Sequence, residues 1–238
     1  MTEHQLAATF VELAAAPEEH DRLPAFLGRF AGSCARLLGA RTAVVLLTGR
    51  EHEPAVAGAL DPRLAALELE AAVRGEGPGA LCVRQGRAVA EVGLTGAVAR
   101  HRWPYYAPRA EQLGVHKAAA FPLLYGTERL GALILLRDTQ PPPDAGTAAL
   151  AQLLADAAAL SLWRVRELTA SRTLADQLQH ALISRVLIEQ AKGMLAARLS
   201  LPIDQSFQLL RDHARSHRRS LREVAREVIE GTLTIPLK

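Results

Sequence analysis

The chain has 238 residues with 28 Lys+Arg against 25 Asp+Glu, a formal net charge of +3, 49% hydrophobic and 22% charged residues. That balance describes one or two globular domains with a core of ordinary size and excludes a disordered tail or a low-complexity fibre. Cys34 and Cys82 are the only cysteines, too few for a disulfide framework or a zinc quartet, and they fit a reducing cytoplasm.

The first residues, MTEHQLAATFVELAA, lack a basic n-region and carry Glu3 and Glu12, so no signal peptide is expected. No uninterrupted apolar run reaches about 18 residues, so no membrane span is expected either. Leu6, Phe10 and Leu13 predict an amphipathic helix over 5–15. After Pro17 to Asp21, a second helix is predicted from Leu23 to Leu38, with Phe26, Phe30, Cys34 and Leu37 inward. Cys34 has no basic neighbour to lower its pKa and reads as a buried structural thiol. Thr42–Thr48 is a β-branched strand, with Glu53–Leu60 as its antiparallel partner.

Leu64–Val73 is predicted helical, followed by the glycine-rich stretch R74-G-E-G-P-G-A-L-C-V83 entering a short helix. A phosphate cradle is disfavoured there: the preceding element is a helix, Pro78 removes a backbone donor, and no GK[ST] follows. Ala88–Val92 predicts a short strand, and residues 93–116 a long irregular segment of the binding-loop kind. Ala118–Leu124 and Leu130–Leu136 flank a turn at Tyr125 to Arg129 and predict a hairpin. This order of elements implies α+β with an antiparallel sheet. The Pro141 to Asp144 run is expected to end the sheet. From Gly146 to Leu199 no proline occurs, which predicts one or two long helices. Leu168, Ser171, Ala175, Leu178 and Leu182 keep a 3,4 spacing, the pattern of a short dimerising coiled coil.

Three short helices are predicted from Ser184 on. Leu199-Ser-Leu-Pro202 breaks the first, Asp204 is the expected cap of the second, and Ser220 with Glu223 forms a capping box for the third. The inward faces are Val186, Leu187, Ala191 and Leu195; then Phe207, Leu210 and Ala214; then Leu221, Val224, Ala225, Val228 and Ile229. Three such helices can bury their faces only against one another. Charge is unevenly distributed: residues from Arg166 on carry net +4, and those before it net −1. Arg211, Arg215, Arg218, Arg219, Arg222 and Arg226 are the centre of the excess, the footprint of a nucleic-acid contact. A solvated arginine-rich helix is the competing reading.

The runs I188-E-Q-A-K-G-M-L195, S206-F-Q-L-L-R211 with Ala214, and L221-R-E-V-A225 resemble the ANTAR family of RNA-binding antiterminator domains over about 55 residues. The resemblance implies a three-helix bundle that binds RNA hairpins overlapping terminators, through looped bases and nearby phosphates. Matched to the family pattern, Lys192 and Arg211 are the first RNA contacts, and Gly193 permits close approach although it costs ~1 kcal/mol in mid-helix. Arg185, Arg215, Arg218, Arg219 and Arg222 follow from charge. Phe207 is expected on the buried face, which leaves base stacking to arginine planes or aliphatic stems.

The runs G75-E-G77-P-G79, R102-W-P104, G114-V, F121-P-L123 and L130-G-A-L133 resemble a bacterial GAF domain from Leu23 to Leu162. This chain has Gly79 where relatives often show Cys, and Gly93 where an acidic residue is common. Such domains are sensory and usually hold a small ligand between the sheet and the long loop, which makes His101, Trp103, Tyr105 and Tyr106 the candidate pocket lining. Joined, the two resemblances imply a GAF-ANTAR antitermination regulator of the actinobacterial type, in keeping with an Arg- and Ala-rich chain that has only three lysines.

The expected architecture is a helical extension (1–22), a GAF-like sensor (23–162), a helical coiled-coil linker (163–183) and the three-helix bundle (184–238). No catalytic motif is present: there is no GxSxG, no Walker lysine and no receiver-type acid pair. His213 and His217 are four apart but separated by Ala-Arg-Ser, with no third ligand, so no metal is expected. The expected protein is a cytoplasmic homodimer that binds RNA, with no membrane contact, no cofactor and no enzymatic activity, and with an unnamed small molecule as possible signal. The alternatives are a DNA-binding regulator, since basic helical bundles also enter the major groove, and a protein-interaction module.

Overall fold

The computed structural model describes residues 3–17, 20–49, 53–138 and 144–235. The chain divides into two compact units, residues 1–169 and 170–238. The proline run at 141–143 lies outside the described residues, so the expected end of the sheet there is not part of the description.

The first unit is built on a five-stranded antiparallel sheet in the order β2-β1-β5-β4-β3. The strands are β1 (Thr42–Thr48), β2 (Pro54–Ala59), β3 (Val89–Gly93), β4 (Lys117–Tyr125) and β5 (Glu128–Arg137). An antiparallel sheet with one wet face alternates apolar and polar residues. Here β1, β4 and β5 are apolar almost throughout because both faces are covered. Val45, Leu133, Leu135 and Phe121 join a core with α1 (Glu3–Ala14), α2 (Leu23–Leu37) and the first turns of the long helix α7 (Ala145–Leu199). Val44, Leu46, Ile134 and Leu136 point the other way, into a second core. That core is closed by α3 (Pro62–Val73), α4 (Gly77–Gln85), α5 (Gly96–Arg102) and α6 (Tyr106–Gln112). Side-chain period 2 sends neighbouring residues to opposite cores, and each large one buried contributes about 1.5–3 kcal/mol.

At Gly131, a Cβ would collide with the backbone oxygen of Leu46 in the adjacent strand, so the close β1–β5 approach requires glycine. The hairpin turn is tight: Tyr125 pairs with Glu128 across Gly126 and Thr127. Cys34 is fully buried in the first core, and burial, aided by the Glu12 charge, pushes its thiol far above the usual range. That is a structural thiol.

Residues 93–116 are not the irregular segment expected from the sequence. Two seven-residue helices, α5 and α6, occupy most of it, separated around Pro104. Two-turn helices carry too few residues to establish a period, and Pro108 obscures the second although proline is tolerated in a first turn.

One stretch of α7 is long and apolar enough, by length and composition alone, to cross a membrane. Its apolar residues have another use: Leu154, Ala155, Ala158, Ala159 and Leu162 are buried in the first core. The same helix runs on without a break to Leu199.

In the second unit the C-terminal turns of α7, with α8 (Ile203–Ser216) and α9 (Leu221–Glu230), form a three-helix bundle. Ala191, Leu195, Leu210, Ala214, Val224, Ala225 and Val228 are its core. The capping box is present at α9: the Ser220 hydroxyl accepts from Glu223 N, and the Glu223 carboxylate accepts from Ser220 N. A cap of this kind stabilises by ~1 kcal/mol. Asp204 does not cap α8, because the helix begins at Ile203, two residues earlier than a cap at Asp204 requires. Pro202 holds the cap position and Asp204 falls in the first turn, where its charge still favours the positive helix end.

Candidate nucleic-acid interface

Lys192 lies on α7 with its ammonium 5.4 Å from the centroid of the Phe207 ring on α8. It also donates to both carboxylate oxygens of Glu189, at 2.9 and 3.0 Å. Its side chain is only 15% exposed. Lys192 is therefore a positioned cation, partly neutralised, rather than a free surface charge. Phe207 is half-buried and not part of the bundle core. The expectation that it is wholly inward is incorrect: Leu210 and Ala214 fill the centre, leaving the Phe207 ring at the edge under Lys192. An aromatic ring thus adjoins the basic residues after all.

Arg211 is exposed one turn after Phe207, and Arg215 is exposed one turn further, so the three share one side of α8. Arg185 lies seven residues before Lys192 on α7 and is exposed on the same side of that helix. Gly193 is exposed, and a Cβ built on it meets nothing within 4 Å. No packing within the chain requires glycine there, while mid-helix glycine costs about 1 kcal/mol against alanine.

The remaining arginines are not equivalent. Arg219 makes a two-pronged pair with Glu227, at 2.8 and 2.5 Å, which ties the α8–α9 turn to α9. This bond holds the Glu227 carboxyl below its usual range. Arg218 is exposed with φ 52°, a left-handed conformation uncommon for a residue with a Cβ. Arg222 is half-buried, and its Nε is enclosed with no hydrogen-bond partner among the described residues. Arg226, one turn on, is exposed.

His213 and His217 stack at 4.1 Å with planes 23° apart. Stacked rings cannot converge on one ion, and no group of three or more metal-binding side chains occurs among the described residues. Burial first, then the neighbouring His217 and Arg219 charges, lowers the His213 pKa and favours its neutral form.

The four candidate ligand residues of the first unit are not gathered around one pocket. Trp103 and Tyr106 are buried and meet edge to face at 6.2 Å within the second core. Tyr105 is clamped between the guanidinium groups of Arg74 and Arg109, 3.9 and 3.7 Å from its ring centroid, and its hydroxyl bonds Glu70. His101 is exposed on α5.

The glycine-rich stretch has a structural use here. Glu76 accepts from the backbone N–H groups of Tyr105 and Tyr106, at 2.8 and 3.0 Å, where α6 begins. Gly77 lies against the Tyr106 ring, and Gly79 against Ile134 and the Glu68 carboxyl. Gly77, Pro78 and Gly79 are all buried, so no phosphate reaches their backbone.

Sequence reasoning missed Glu68. It is fully buried on α3 and accepts a 2.5 Å hydrogen bond from the Tyr106 hydroxyl. Burial pushes its carboxyl up to about 7, against the opposing effect of the Tyr106 bond. A glutamate reads as solvent-facing by residue type, although its spacing of four from Leu64 and three from Ala71 was the signal that puts it on the buried face.

A family model of the GAF domain matches residues 22–162, and one of the ANTAR domain matches residues 176–229. No curated protein matches the chain. Solved structures similar to it include the GAF domain of a phosphoenolpyruvate-protein phosphotransferase from Acinetobacter. That domain is 13% identical, with 71% of this chain and 98% of the other covered and a TM-score of 0.48. The second GAF domain of DevS from Mycobacterium smegmatis is 17% identical, with coverage of 63% and 99% and a TM-score of 0.42. A GAF domain/HD domain protein from Geobacter sulfurreducens is 17% identical, with coverage of 59% and 89% and a TM-score of 0.43. The family assignment rests on the two family models alone. GAF is a sensory domain and ANTAR an RNA-binding antitermination module; this chain, which joins them, belongs to the GAF family and is a GAF-ANTAR regulator.

Proposed function

We propose that the protein is a signal-responsive regulator that binds hairpin loops in nascent transcripts and controls transcription termination, acting in the cytoplasm by binding and not by catalysis. The observation that carries this reading is the patch of Lys192, Phe207 and Arg211 beside the bare backbone of Gly193. Sequence-specific RNA recognition reads unstacked loop bases, which need cations for phosphates, a flat face for a base and room for close approach. The patch offers all three. Arg185, Arg215, Arg218 and Arg222 extend it as phosphate contacts, whereas Arg219, engaged by Glu227, serves to hold the turn.

Two copies pair through the exposed apolar residues of α7. Leu168, Leu178 and Leu182 join no core among the described residues, at 49 to 65% exposure. Pairing two such helices removes these side chains from water, the driving force of a coiled coil. A short seam with Ser171 and Ala175 at two of its inward positions makes a weak dimer that a signal can alter.

The test is binding to a short-stem hairpin RNA and to duplex DNA of the same sequence, with Lys192→Ala and Arg211→Ala. Loop-dependent RNA binding that both variants weaken supports the proposal. Equal binding to both polymers makes the arginines a general polyanion patch, and preference for the duplex favours a DNA-binding regulator.

A further inference from the structure

A cavity of about 390 Å³ opens between the sheet and the α3–α4 segment of the first unit. Its lining joins the buried Leu46, Ala72 and Val83 and the half-buried Ala80, which form its apolar base, to the exposed Arg84 and Arg129 at its mouth. At about 30 Å³ for each water-sized volume it holds roughly a dozen non-hydrogen atoms, in the range of small-ligand sites. His101, Trp103, Tyr105 and Tyr106 do not line it, so it is a separate place from the one the family resemblance suggests.

The chemistry of the mouth is one-sided. Arg84 donates to the Gly75 carbonyl at 3.3 Å, and Arg129 donates to the Arg84 carbonyl at 2.5 Å. The first bond holds the Arg84 side chain and the second ties the Arg129 side chain to the Arg84 backbone, so both line the same cavity. A guanidinium has five donors, and these two are anchored by backbone carbonyls, with no ion pair to a carboxylate among the described residues. Their charge is positioned, and no carboxylate among the described residues neutralises it. The Thr48 hydroxyl, also on the lining, is spent on the Arg129 carbonyl at 2.9 Å, which fixes the base of the Arg129 side chain. An apolar base beneath a pair of fixed guanidinium groups matches one shape of ligand.

We propose that this cavity binds a small amphipathic organic anion, with an apolar body of about eight to ten carbons in the base and one terminal carboxylate or phosphate held by Arg84 and Arg129. This names the ligand class for the sensory reading of the first unit, on which it rests. A planar fork on each arginine suits either oxyanion bidentately. The neutral analogue of the same length keeps the apolar contacts and loses the charged ones.

The experiment is calorimetric titration of the full chain with octanoate, octyl phosphate and 1-octanol, below their aggregation concentrations. At least one anion is expected to bind tenfold or more tighter than 1-octanol. Arg84→Gln with Arg129→Gln should weaken the anion at least tenfold and leave 1-octanol unchanged. Ala80→Leu, which fills the base while keeping both arginines, should abolish anion binding. Arg74→Gln, outside the cavity, should change nothing, and a melting curve of each variant shows that it is folded. Equal affinity for anion and alcohol, wild-type affinity in the double variant or in Ala80→Leu, or no saturable binding of either anion overturns the assignment. A hairpin-RNA titration with and without the bound anion separates the two readings. Binding of the anion without effect on RNA leaves the site standing and defeats its sensory use, whereas RNA binding without any anion site defeats the site alone.

Discussion

The Tyr106 hydroxyl donates to the Glu68 carboxyl at 2.5 Å, with both side chains sealed inside the second core of the sheet. A carboxyl in that setting resists ionisation, and it reaches about 7 against an ordinary value of 4.5. The folded chain therefore holds this proton more tightly than the unfolded one. The resulting stability is fully present below pH 4.5, declines as pH rises from there, and is lost once pH passes about 7. At about 1.4 kcal/mol for each pH unit of separation, the loss amounts to a few kcal/mol. Urea unfolding of the wild type and Glu68→Gln at pH 5.5 and pH 8 checks it. The wild type should lose stability between the two relative to the variant, which cannot ionise. Parallel behaviour of the two proteins would show that Glu68 is not the titrating group.

Gly77 leaves its Tyr106 neighbour no room for a methyl group. An added Cβ would come within 3.2 Å of the ring, on a backbone at φ 88°. Gly77→Ala should destabilise the first unit by about 1–3 kcal/mol, from overpacking plus left-handed strain. A lower melting temperature without change in RNA affinity is the expected pair of results.

Gly193 predicts the opposite sign. Space around it is open, so Gly193→Ala should stabilise the second unit by up to about 1 kcal/mol. If RNA approaches that backbone closely, the same change weakens hairpin binding. Chemical denaturation and a binding titration on one preparation measure both. A variant that is more stable and binds equally well removes Gly193 from the interface.

In the proposed pairing of two chains, Leu178 and Leu182, 58% and 65% exposed, carry the seam. Leu178→Asp with Leu182→Asp should shift the protein to monomer in sedimentation analysis and leave its melting curve nearly unchanged, because neither side chain contributes to a core within the chain.

The sheet was legible in the sequence because TAVVLLT and the hairpin strands are apolar on both faces and bounded by clear turns. The bundle was legible because α9 carries a complete i, i+3, i+4, i+7, i+8 set behind a capping box. What escaped depends on long-range contact. Glu68 meets Tyr106 across 38 positions; its spacing of four from Leu64 and three from Ala71 puts it on the buried face, but nothing local names the partner that lets a carboxyl stay there. Phe207 fits the apolar period of α8, yet the arc of the core is narrower than the period suggests, so the ring ends at its margin. Arg219 looked like its neighbours until Glu227, eight residues away, was seen to engage it. Arg84 and Arg129 belong to no motif; only the fold brings them to one rim.

The most direct measurement of the central claim is a salt-titrated affinity for hairpin RNA, its loop-substituted form and the matching duplex DNA, with the wild type, Lys192→Ala and Arg211→Ala. Reading of an unpaired loop predicts tight binding to the intact hairpin only, weakened by each variant. The slope of log affinity against log salt should also fall by roughly 0.7–0.9 for each phosphate contact removed. Binding that ignores the loop, matches the duplex and survives both substitutions would contradict the account.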